Sequence, residues 1–77
     1  MVTIQNMEEF IDKDPETGEA FNRLVKLAVR KNNNLTPEDV MREKMLLEMV
    51  KIGCYNDPEK TGVFITGHYQ LIKSIKP

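Results

Sequence analysis

Between Val40 and Ile52 eight of thirteen residues are apolar, and no other stretch constrains the fold so tightly. The segment is bracketed by helix punctuation. Thr36 is the expected N-cap and Pro37 the first helical residue, with Glu38 and Asp39 where the helix dipole favours negative charge. Gly53 is the expected stop, followed by Cys54 as the apolar residue that often accompanies a Schellman ending. On a wheel of about 100° per residue the apolar side chains cover most of the circumference. Lys44, Glu48 and Lys51 form the one clear polar stripe, and Arg42 and Glu43 break the apolar side. A helix this apolar is either central to its fold or shared with another chain.

The rest of the chain has little material with which to cover it. At 77 residues this is one small domain, residues 1–77, and a chain of that size buries only about 60% of the surface its unfolded form exposes. Leu, Ile, Val and Phe make up 21 residues, above the roughly 20% level below which disorder becomes the default, so a folded domain is expected. A single cysteine cannot form an internal disulfide and points to a cytoplasmic setting. One cysteine with one histidine also excludes the usual zinc frameworks. No apolar run approaches the roughly 18 residues of a membrane span, and Met1 to Asn6 have neither the basic head nor the apolar stretch of a signal peptide. Without such aids, tight helix packing or self-association must supply stability.

Asn6 to Lys13 is a short amphipathic helix opened by Asn6, with Glu9 in its first turn and Met7, Phe10 and Ile11 on one face. Asp14-Pro15 starts a second helix, weakened by Gly18 and ended by Asn32-Asn33-Asn34. Its apolar side holds Ala20, Phe21, Leu24, Val25, Leu27 and Ala28, and Glu19 to Arg23 is an i,i+4 pair in the favourable order. After Gly53, residues 55–62 read as a polar connection with Asp57-Pro58 and Thr61-Gly62 as turn signals. Val63 to Thr66 reads as a short strand. Gly67 to Lys76 is either a helix capped by Thr66, with His68, Leu71, Ile72 and Ile75 on one stripe, or the return strand of a hairpin.

Few residues carry a chemical signal. Cys54 follows a helix C-terminus, where the dipole disfavours a thiolate, and reads as a small apolar plug. His68 has no neighbour in sequence that makes it a catalytic base, and a pairing with Cys54 lacks any evident oxyanion hole. Asp12-x-Asp14-x-Glu16 resembles calcium-ligand spacing only until Pro15 and the missing glycine are considered. Arg23, Lys26 and Arg30 form a basic stripe after an acidic beginning, suited to electrostatic contact with an acidic partner or to a solvated face. Met41, Met45 and Met49 form an i, i+4, i+8 ridge that fills a core or adapts to a partner.

These observations predict a mainly α domain, three to four short helices packed around the long central helix Thr36–Ile52. A small α+β fold with a C-terminal β-hairpin is the alternative. The expected molecule is non-enzymatic, without cofactor or metal. It is an interaction or regulatory module that forms a homodimer or binds another protein through Met41, Met45, Leu46, Met49, Val50 and Ile52. A small DNA-binding regulator of helix-turn-helix or winged-helix type is the alternative. It is disfavoured because Glu38 and Asp39 would open the recognition helix and the pI is about 5.8.

Overall fold

The computed structural model describes residues 3–31 and 37–74, and they form four helices: α1 (Ile4–Lys13), α2 (Pro15–Lys31), α3 (Glu38–Lys51) and α4 (Pro58–Ser74). The mainly α reading holds. The hairpin alternative does not, because Val63 to Thr66 lies inside α4 and no strand occurs among the described residues.

Each start has a chemical cause. Thr3 is extended, and its Oγ1 accepts from the Asn6 amide at 3.1 Å, so α1 begins two residues before the expected opener. Asn6 instead donates from Nδ2 to the Tyr55 hydroxyl at 3.2 Å. Asp14 alone joins α1 to α2. Its backbone is extended, Oδ1 accepts the Glu16 amide at 3.2 Å, and Oδ2 accepts the Thr17 hydroxyl at 2.8 Å. The Thr17 bonds, aided by the Glu16 amide, hold its carboxyl below the usual carboxylate range. The Thr36 cap and the Asn-rich ending of α2 lie outside the described residues.

The end of α3 follows the sequence closely. Gly53 sits at φ +82°, its amide bonds the Val50 carbonyl at 3.1 Å, and the Cys54 amide reaches the Met49 carbonyl at 2.9 Å. That pair of bonds is a Schellman motif, with Cys54 and Met49 both fully buried. The chain then turns through Asn56 at φ 51°. The Cys54 carbonyl accepts from the Asp57 amide at 3.0 Å and the buried Thr61 hydroxyl at 3.1 Å. Asp57 caps α4 through Oδ1 to the Lys60 amide at 3.1 Å, and Pro58 is the first helical residue. Thr66 is therefore mid-helix and caps nothing.

The central helix is α2, not α3. It packs against each of the other three, most extensively against α4, and contributes Phe21, Leu24 and Val25 to the core. At 17 residues α2 and α4 are both longer than α3, which has 14. An apolar circumference did not make α3 the hub, since its side chains divide between inside and outside. Leu46 and Met49 enter the core, Met41, Met45 and Val50 are half-buried, and Val40, Leu47 and Ile52 face outward. The core itself is contiguous, built from Met7 and Ile11 of α1, the three α2 residues, Leu46 and Met49, Cys54, and Phe64 and Ile65 of α4.

Two contacts fix the corner between α1, α2 and α3. Gly18 is buried where α2 crosses α1, and a Cβ there would stand 2.9 Å from the Ile11 carbonyl oxygen. Glycine at this position permits the crossing rather than weakening the helix. Arg42 reaches from α3 to Asp12 of α1 at 2.5 Å and Glu8 of α1 at 3.6 Å. It also reaches the Asn22 side-chain oxygen of α2 at 2.5 Å, with its guanidinium 5.1 Å from the centre of the Phe21 ring.

Candidate interaction surface

The apolar surface left uncovered lies mainly on α4. Counting round the helix, Thr61, Phe64, Ile65, Tyr69 and Ile72 turn toward α2, all of them buried or half-buried. Val63, Gly67 and Leu71, spaced four apart, fall on the outward side, with Val63 70% and Leu71 60% exposed. Ile52, at the end of α3 and 46% exposed, joins them across an open groove of about 690 Å³. Phe64 and His68 line it beside Gly67, and Asp57, Glu59 and Lys60 stand at its α4 N-terminal end. Its middle is therefore apolar and its end carries both signs of charge.

His68 is exposed but engaged. Its Nδ1 lies 2.9 Å from the Phe64 carbonyl, and its ring stacks on Phe64 at a centroid distance of 4.1 Å. Cys54 lies in the core, where burial pushes its thiol above the ordinary value, opposed by Lys60. No hydrogen bond joins Cys54 to His68 among the described residues. Among those residues no group of His, Cys, Asp or Glu side chains could hold a metal ion. Asp12 and Asp14 are occupied by Arg42 and by the α2 cap, respectively.

The expected contact residues separate. Of Met41, Met45, Leu46, Met49, Val50 and Ile52, only Ile52 lies on the open surface, while Leu46 and Met49 are core residues. The methionine ridge turns inward at Met49 and is half-covered at Met41 and Met45. Arg23, Lys26 and Arg30 are all exposed on α2, away from the apolar groove, and Arg23 pairs with Glu19 at 2.7 Å as the spacing predicts. A second apolar spot, Val40 and Leu47 on α3, is 42% and 41% exposed.

Sequence reasoning missed Val63 and Leu71, and a signal for them existed. Asp57-Pro58 repeats the Asp14-Pro15 helix start, with the aspartate as cap and proline at the first position. Extending the helix from Pro58 places Thr61, Phe64, Ile65 and Ile72 inward and Val63, Gly67 and Leu71 outward. Leu71, expected on one stripe with His68, Ile72 and Ile75, is 60% exposed, whereas the adjacent Ile72 is half-buried.

No family model, curated protein or solved structure matches this chain. No described helix is long and apolar enough to cross a membrane. The described residues define a class no narrower than a small helical domain with four helices and an uncovered apolar groove beside α4.

Proposed function

We propose that this chain is a non-enzymatic protein–protein interaction or regulatory module that docks a partner on the groove formed by Ile52, Val63 and Leu71. The observation that carries the reading is the continuity of that apolar face. Three large apolar side chains, two from α4 and one from the residue that caps α3, stand open around one groove in a chain with little core to spare. Scattered exposed apolar residues are ordinary, but a contiguous set with charged groups at one end is the composition of a docking surface. Covering it contributes roughly 25 cal/mol per Å² of apolar area.

Nucleic acid is the less supported partner. The exposed first turn of α3 carries Glu38 and Asp39, which repel phosphates at the place where a recognition helix meets the bases.

Site-specific photocross-linking tests the docking reading. A photoreactive phenylalanine analogue is placed in turn at Val63, Leu71, Arg23 and Lys44, all exposed, in the full chain expressed in cells. Protein adducts are expected from positions 63 and 71 and not from 23 and 44. Silence at 63 and 71, or equal yields at all four, would defeat it.

A further inference from the structure

Resting on that docking reading, we propose that the occupant of the groove is a second copy of this chain, packed α4 against α4 in antiparallel orientation and crossing at Gly67. Gly67 itself is the first argument. A Cβ at this position would meet nothing within 4 Å, so the fold of the single chain makes no use of the missing side chain. A mid-helix glycine nonetheless costs about 1 kcal/mol relative to alanine. A bare patch at the centre of an outward helix face allows a second helix backbone to approach closely.

The apolar pattern supplies the second argument. Val63 and Leu71 stand about one turn to either side of Gly67 on the same exposed face. A two-fold axis through the crossing point brings Val63 of each copy against Leu71 of the other. The patch is then complementary to itself, which is the condition for a closed dimer.

Charge fixes the direction. At 1.5 Å per residue Glu59 lies about 12 Å before Gly67 and Lys73 about 9 Å after it. Both are exposed and lie on the same flank of the Val63–Gly67–Leu71 stripe, Lys73 the farther round with its Nζ 5.8 Å from the centre of the Tyr69 ring, a contact it exchanges for Glu59 on association. Antiparallel packing sets Glu59 of each copy beside Lys73 of the other, giving two ion pairs. Parallel packing leaves Glu59 of one copy about 21 Å along the axis from Lys73 of the other, so neither ion pair forms, and it aligns the helix dipoles unfavourably. A contact centred on one helix face is small, so the dimer is weak and concentration-dependent rather than obligate.

Sedimentation equilibrium of the full chain at low salt, from about 10 μM to about 1 mM, reads the association directly. A reversible monomer–dimer equilibrium is expected. Glu59→Lys alone and Lys73→Glu alone each turn two attractive pairs into two repulsive ones and weaken the dimer about tenfold. The double reversal restores it to within about threefold. Gly67→Gln keeps the helical spectrum and a melting temperature no lower than the parent's, yet removes the dimer, which separates association from folding. A monomer throughout the range overturns the proposal, as does a dimer indifferent to Gly67→Gln or charge reversals that add rather than cancel. A monomer whose positions 63 and 71 still cross-link to another protein removes the second copy as occupant and leaves the docking reading standing. A monomer silent at both positions removes both.

Discussion

Gly18 and Gly67 occupy opposite situations in this molecule. Gly18 is buried where α1 and α2 cross, with the Ile11 carbonyl where a Cβ would go, whereas Gly67 faces open space. Around Gly18 the surroundings are specific: Asp14 caps α2, and Arg42 ties α3 to both other helices. Around Gly67 the neighbours Val63 and Leu71 touch the solvent. The contrast distinguishes a helix pair completed within one chain from a helix face that finds no cover there. The same residue type is required by the fold in one place and costs stability in the other.

The sharpest way to break that contrast is Gly18→Ala. The added methyl meets backbone, which cannot rotate away, so α1 and α2 must separate. A loss of about 2 kcal/mol is expected, in the range for overpacking a tight interior. For a domain of this size that lowers the melting temperature by roughly 10 °C. Urea unfolding should show a lower midpoint with the slope unchanged. A change below about 0.5 kcal/mol would show that the crossing is not tight.

Arg42→Ala should cost less, about 1–2 kcal/mol. Its carboxylate partners are half-exposed or exposed and recover water when it is removed, so the ion pairs themselves contribute little. The larger part is the guanidinium over Phe21 and the stem packed between helices, since only 18% of the Arg42 side chain is exposed. Arg42→Met keeps the stem and removes the charge, and should therefore recover about half the loss. Equal losses in the two variants would assign the effect to charge instead.

What could be read in the chain was local. Asp14-Pro15 announced the start of α2, Gly53-Cys54 the end of α3, and Glu19–Arg23 a pair one turn apart, because each depends on residues within a few positions of one another. Arg42 read as an interruption of an apolar helix. Its role is visible only across 30 residues to Asp12 and 20 to Asn22, a separation no periodicity encodes. The same limit misplaced the hub. The wheel of α3 measured how many apolar residues it has, not how its neighbours share them. The face of α4 was lost for a different reason. With Asp57-Pro58 read as a turn and residues 63–66 as a strand, the buried Thr61, Phe64 and Ile65 that mark the inward side drop off the wheel, and the outward side cannot be told from it.

Gly67→Ala is the smallest expected effect and the one with the opposite sign. Alanine is the best helix former, the added methyl meets nothing within 4 Å, and the unfolded chain loses freedom. The variant should gain about 0.5–1 kcal/mol when measured at low protein concentration, where the isolated chain dominates. Comparing its urea midpoint with that of Gly18→Ala gives shifts in opposite directions from one chemical change. If both lower the midpoint, α4 is more tightly enclosed than its exposed neighbours imply. A Gly67→Ala gain that shrinks as protein concentration rises would mean that close approach at this position is used only when two copies meet.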